Sequence, residues 1–202
     1  MPLPRLAVIA LILALVTGCE AKPEAKYPDS LTACELLPRV AASRVTDVGA
    51  KLSDGQAKES HLLFKYKYCE WSYEQPRKHA WSPYQPGPVE RRLTIRLTVI
   101  SAGRHGAAGA AGEYTSQRDS RVKDGAAVAD LPGPGESAFM ATDEYGGRTT
   151  ATVWFRRSNA VVQVELSGRD CCRRTSGDMQ AANRRKLVIA AATAADQTLL
   201  TR

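Results

Sequence analysis

Histidine is scarce in this chain, and the recurrent catalytic motifs are absent. The three histidines of its 202 residues, His61, His79 and His105, are isolated from one another. None belongs to an H-E-x-x-H pattern or a paired-ligand spacing, so each is assigned to the surface. No C-x-x-C or H-x-x-x-H occurs, which leaves no finger-like zinc site. The Gly/Ala-rich stretch 103–112 is not followed by G-K-[ST], so it is not a phosphate loop. No G-x-S-x-G elbow gives a serine nucleophile its usual strained setting. Asp143-Glu144 stand beside Tyr145-Gly146-Gly147, a turn composition rather than an acid/base pair. The sequence therefore names no catalytic residue, no metal ligand and no cofactor.

Long apolar runs are equally few. Leu6–Val16 is uncharged and follows Arg5, and no second run is long enough to span a bilayer. A spanning helix needs about 20 apolar residues, so this shorter run fits the core of a secretory signal. Val16-Thr17-Gly18-Cys19 ends it with an aliphatic residue, two small residues and a cysteine. Small residues let the backbone enter a signal-peptidase cleft, and the Cys19 thiol is placed to carry diacylglycerol. The expected organisation is a signal peptide over 1–18, lipidated Cys19 with a flexible charged spacer over 19–29, and one extracytoplasmic domain over 30–202. The expected location is the outer face of a cell membrane. Two or three acyl chains, at roughly 0.8 kcal/mol per buried methylene, hold firmly where one would not.

The formal net charge is +7; loss of Arg5 with the signal leaves +6. The basic residues are scattered in small groups such as Arg91-Arg92, Arg156-Arg157 and Arg184-Arg185-Lys186. Such an excess reads as a solvated surface that also suits anionic lipid headgroups or acidic wall polymers. Export argues against a nucleic-acid partner. With Cys19 lipidated, Cys34, Cys69, Cys171 and Cys172 remain. Outside the cytoplasm an even number reads as disulfides, and four cysteines allow three pairings. Cys34–Cys69 is favoured, leaving Cys171–Cys172 as a vicinal bridge, which closes only a strained ring, or as a reduced pair.

Along the chain, Ser30–Arg44 has helical spacing of Leu31, Cys34 and Leu37, a cap at Ser30 or Thr32, and Pro38 to end or redirect it. Residues 45–59 read as loop. Leu62–Tyr73 alternates and is aromatic, hence a strand. Its faces conflict, with Phe64, Tyr66 and Tyr68 on one side and Leu63, Cys69 and Trp71 on the other. Either a bulge changes the face or both faces are partly covered. Residues 75–88, rich in proline, form a connection. Leu93, Ile95, Leu97 and Val99 mark a half-buried strand. Residues 103–112 are expected as loop before a short helix over Glu113–Arg121. Short strands are expected over Ala127–Leu131 and Ser137–Thr142. Thr149–Leu166 predicts a hairpin turning at Ser158-Asn159, in which Phe155 faces Val162 and Val153 faces Val164. Trp154, opposite Gln163, then points to the other face. Residues 167–177 read as a polar loop. Asp178–Leu200 reads as a final helix whose packing stripe is Met179, Ala182, Leu187, Ala190, Ala191 and Ala194. The fold class is α+β: an antiparallel β-sheet packed with an N-terminal and a C-terminal helix.

The order of these features resembles a family. Lipobox, Cys34-Glu35-Leu36-Leu37, Cys69-Glu70-Trp71, then Leu131-Pro132-Gly133-Pro134-Gly135-Glu136-Ser137-Ala138, a hairpin and a terminal helix look like actinobacterial lipoproteins grouped under a domain of unknown function. These carry a C-x-L-L start, a C-x-W strand and a G-x-G-[DE]-x-A turn, matched here by Gly133, Gly135, Glu136 and Ala138. Pro38 and the doubled Cys171-Cys172 depart from that pattern. The resemblance implies a secreted α+β domain with a Cys34–Cys69 disulfide, and it brings no known activity.

Two functions from different classes follow. One is a non-catalytic binding or accessory module, anchored in the membrane, that meets an acidic wall polymer, lipid or envelope protein. Its candidate binding residues are the outward aromatics Trp154 and Trp81; the alternative for Trp154 is that a helix covers it. The other is a cell-envelope hydrolase whose active site carries no motif.

Overall fold

Pro38 divides the first helical segment, because proline has no N–H to donate within a helix. The computed structural model describes residues 25–59, 66–75, 87–145, 148–171 and 176–202. Helix α1 is Ala33–Leu36 and α2 is Arg39–Val45, with Leu37 fully buried at the bend between them. The Thr32 N–H donates to Glu35 Oε2 at 3.0 Å, closing the start of α1. That backbone hydrogen bond, with the neighbouring Thr32 hydroxyl, holds the Glu35 carboxyl below its ordinary pKa.

The strands are β1 Gln56–Glu59, β2 Lys67–Glu74, β3 Gly87–Val99, β4 Ala127–Asp130, β5 Ser137–Tyr145, β6 Arg148–Arg157, β7 Ala160–Cys171 and β8 Ser176–Asp178. They form one sheet in the order β1-β2-β3-β7-β6-β5-β4, with β8 added to the end of β7. Every pair is antiparallel. Helix α3 is Gly106–Lys123 and α4 is Ala181–Leu200. The chain is thus an antiparallel α+β protein with an N-terminal and a C-terminal helical element.

Alternation divides the sheet into two faces. Cys69 and Trp71 of β2, Leu93, Ile95 and Leu97 of β3, Val153 and Phe155 of β6, and Val162, Val164 and Leu166 of β7 share one face, all nearly fully buried. Helices α1, α2 and α4 cover that face through Leu36, Leu37, Ala42, Val188, Ala191, Ala192, Ala195 and Leu199. The β6–β7 hairpin pairs Phe155 with Val162, Val153 with Val164 and Trp154 with Gln163, as alternation predicts. The left-handed residue of its turn is Ser158 (φ +50°), not Asn159. Asn159 is freed for other bonds described below. A disulfide joins Cys34 of α1 to Cys69 of β2 and fixes the helix over the sheet.

Several boundaries differ from expectation. The folded body includes Tyr27, which is 3 % exposed, so the spacer is shorter than 19–29. Within 45–59, residues expected as loop, Gln56–Glu59 add an edge strand. Strand β2 pairs without a register break, with Cys69, Trp71 and Tyr73 buried and Tyr66 and Tyr68 half-buried. Both faces are therefore partly covered among the described residues of this segment, and Leu63 and Phe64 lie outside them. Helix α3 begins at Gly106 rather than Glu113. Its first turns pack so tightly that a Cβ at Gly109 would stand 2.4 Å from the Arg104 carbonyl oxygen. Small residues there are a packing requirement and carry no helical hydrophobic period. Strand β7 continues to Cys171 through what reads as polar loop. On α4 the buried stripe is Arg184, Val188, Ala191, Ala192, Ala195, Asp196 and Leu199, while Ala182 and Ala190 face solvent. Two charged residues lie inside that stripe because each has a partner. Arg184 donates to Asp178 Oδ2 (2.8 Å) and the Thr149 carbonyl (2.7 Å), and Asp196 accepts from Arg157. Gly135 in the Leu131–Gly135 turn has φ +66°, and a Cβ there would stand 2.4 Å from the Arg156 carbonyl oxygen. Only glycine fits that position.

Candidate functional site

Among the described residues, one helix covers part of the second face of the sheet, and the rest of that face is mostly half-buried or exposed. Helix α3 lies over β4, β5 and β6 and reaches one end of β7, and Phe139, Ala141 and Trp154 form a second buried cluster there with Tyr114, Ala126 and Val128. Phe139 and Trp154 stack at 4.8 Å with planes 10° apart, and Tyr114 meets Phe139 edge-on at 5.3 Å. Burial pushes the Tyr114 hydroxyl above its ordinary pKa. The Arg121 guanidinium sits 5.0 Å from the Trp154 ring centroid and reaches Asp143 at 3.5 Å.

Trp154 is therefore 1 % exposed. Its candidacy as an outward binding aromatic is corrected: strand alternation puts it on the second face, and α3 covers it there. Trp81 lies outside the described residues, as do Cys19 and Cys172. The backbone of Cys171 ends β7.

Beyond α3 the same face runs across β7, β3 and β2. The pairing aligns three rows of side chains: Tyr68–Arg96–Gln163, Glu70–Thr94–Glu165 and Ser72–Arg92–Ser167. The first row continues into Trp154 and the second into Thr152 of β6. Every member of the three rows is polar or tyrosine. Arg92 and Ser72 are exposed, and Tyr68, Arg96, Gln163 and Glu165 are half-buried. At the upper edge Tyr66 and Tyr68 approach to 6.1 Å at 46°, and Arg96 lies 5.3 Å from the Tyr66 centroid. Gln163 Nε2 donates weakly to Glu165 Oε2 at 3.5 Å. At the lower edge Glu90 bridges Arg148 (3.2 Å) and Arg169 (3.0 Å). The result is a flat floor of acceptors and donors, with ring faces along one border and an ion-pair ladder along another.

Tyrosine rings offer flat apolar faces, while Arg96, Gln163 and Glu165 offer fixed donors and acceptors. A separate concavity of about 230 Å³ lies at the lower end of the other face, lined in part by Asp47, Lys51, Tyr73 and Gln75. It is smaller than the cavities of roughly 300–1,000 Å³ that take drug-sized ligands. Among the described residues no group of three His, Cys, Asp or Glu could hold a metal ion, and no helix is long and apolar enough to cross a membrane.

Of these residues, sequence reasoning singled out none as binding residues. The signals were present in the Tyr66/Tyr68 side of β2 and in the Thr94–Arg96–Thr98 alternation of β3. Residues were missed because alternation gives a face without saying which part a helix covers. No protein-family model, curated protein or solved structure matches the chain.

Proposed function

We propose that this chain is a membrane-anchored cell-envelope lipoprotein, held at the outer face by lipid on Cys19, that acts as a non-catalytic binding module for a polar envelope polymer. The anchor is supported by Val16-Thr17-Gly18-Cys19 after a short apolar run. The observation that carries the binding reading is the open half of the second face, where Tyr66, Tyr68, Arg96, Gln163 and Glu165 present rings and hydrogen-bonding groups on rigid strands. A binding site built on paired strands needs no closing motion. Its rows hold two arginines, Arg92 and Arg96, and two glutamates, Glu70 and Glu165, which suit a polar glycan bearing both donors and acceptors. The reading is tested in two parts. Palmitate labelling of the wild type and of Cys19→Ala checks the anchor, and labelling that survives the substitution rules it out. Co-sedimentation with purified cell-wall polymer checks the face, and loss of binding on Arg96→Ala with an unchanged melting temperature supports it.

A second reading, an envelope glycan hydrolase, is favoured by one observation. Glu70 and Glu165 flank Thr94 in one row, two strand spacings apart, or about 10 Å between backbones. Inverting glycosidases hold their two carboxyl groups at roughly 6.5–9.5 Å. Release of soluble fragments from wall polymer, abolished by Glu165→Gln, would favour this reading over simple binding.

A further inference from the structure

The chain enters the folded body at one end of the sheet and is clamped there. The Tyr27 N–H donates to Asn159 Oδ1 at 2.8 Å, and Asn159 Nδ2 donates back to the Tyr27 carbonyl at 2.9 Å. The same amide reaches the Ile100 carbonyl at 3.0 Å, and the Tyr27 hydroxyl donates to the Leu199 carbonyl at 3.1 Å. Asn159 is fully buried. This clamp joins the N-terminal segment, the β6–β7 turn, the end of β3 and the end of α4 at a single pole. Burial raises the Tyr27 hydroxyl pKa, so it stays a neutral donor.

The pole has its own surface. Lys26 is exposed, with its ammonium 5.2 Å from the Tyr27 ring centroid. The turn Ala102–Arg104 begins two residues after Ile100 and leaves Arg104 exposed. Leu200, next to the clamped Leu199, is 52 % exposed, and Arg202 follows it. Exposed Val122, by contrast, lies at the far end of α3, toward the opposite pole.

We infer that this Tyr27 pole is a membrane-docking surface for anionic lipid headgroups. The inference rests on the Cys19 anchor reading. Eight residue steps lead from Cys19 to Tyr27 and span at most about 29 Å when fully extended. Strand β3, whose 13 residues run from the far pole to this one, is about 40 Å long. Standing on the far pole would lift Tyr27 about 40 Å above the headgroups, beyond the reach of the tether. The tether therefore permits the clamped pole to face the bilayer and forbids the inverted posture. Exposed Lys26, Arg104 and Leu200 are the chemistry an anionic interface takes up, while Arg202 is paired with Glu35 at 4.0 Å. In this posture the open polar face stands upright and stays free for a polymer beside the membrane.

The test uses the mature lipidated protein in phosphatidylcholine vesicles with and without phosphatidylglycerol. Hydroxyl-radical footprinting reads protection along the chain, and the mass of the Cys19 peptide reads lipidation. Docking predicts several-fold protection of Leu200 and of residues 101–105 only when phosphatidylglycerol is present. Peptides holding Lys51 and Arg148 stay unchanged. Lys26→Glu with Arg104→Glu, or separately Leu200→Asp, removes that protection while the lipid still retains the protein on the vesicle. Protection on the open face instead, or protection at the pole indifferent to phosphatidylglycerol and to these substitutions, overturns the docking and leaves the anchor standing. An unmodified Cys19 peptide overturns both.

Discussion

Replacing Trp154 with alanine tests whether the second face is a true core under α3. Trp154 is 1 % exposed, stacks on Phe139 at 4.8 Å and lies beneath Arg121. Truncating a buried aromatic costs about 3–5 kcal/mol, and a lost stacked pair lies within that range. For a domain of this size each kcal/mol lowers the melting temperature by roughly 2–4 °C, so the fall is about 6–20 °C. A second variant separates volume from polarity. The Trp154 indole N–H is buried without a hydrogen-bond partner among the described residues. Trp154→Phe loses apolar area but removes that donor, whose desolvation costs about 1–3 kcal/mol. Its net cost is expected below about 2 kcal/mol. Calorimetric melting of both variants gives the answer. A Trp154→Ala protein that melts within a degree or so of the wild type would refute the covered core.

Two further perturbations probe other parts of the fold. Joint replacement of Cys34 and Cys69 by serine opens a loop of 35 residues and should cost roughly 3–4 kcal/mol in urea unfolding; equal midpoints with and without the bond would contradict the crosslink's role. Burial alone would raise the Asp178 carboxyl, but hydrogen bonds from Thr149 and Arg184 outweigh it and hold its pKa below the ordinary value. Its contribution to stability is therefore present above the unfolded pKa of about 3.9 and is lost as pH falls through the lower folded value. Asp178→Asn should be less stable than the wild type at neutral pH, with the gap closing below about pH 4; a pH-independent gap would show that the charge is not what matters.

Legibility followed local physics. The β6–β7 register was readable because a two-residue turn and period-2 valines point to one answer. Pro38 marked its break for an equally local reason. Helix α3 was half hidden, since its fully buried residues are Gly106, Ala107 and Ala110, which leave no apolar period in the sequence. The stripe of α4 differs from the apolar reading because Arg184 and Asp196 are buried by partners off the helix, Asp178 and the Thr149 carbonyl for Arg184 and Arg157 for Asp196. The same limit governs the candidate site. Tyr68, Arg96 and Gln163 fall in one row only through the pairing of β2 with β3 and β3 with β7. The proposed anchor at Cys19 is the reverse case, since that reading rests on four consecutive residues.

The central claim is that the open half of the second face binds a polar envelope polymer. The most direct measurement is co-sedimentation of the mature protein with purified cell-wall polymer, comparing wild type with Arg96→Ala, Gln163→Ala and the pair. The account predicts saturable binding that falls at least several-fold in each variant, weakens with added salt and leaves the melting temperature within a few degrees of wild type. Wild-type binding retained in full by the double variant, or no binding to wall polymer by the wild type, would contradict it.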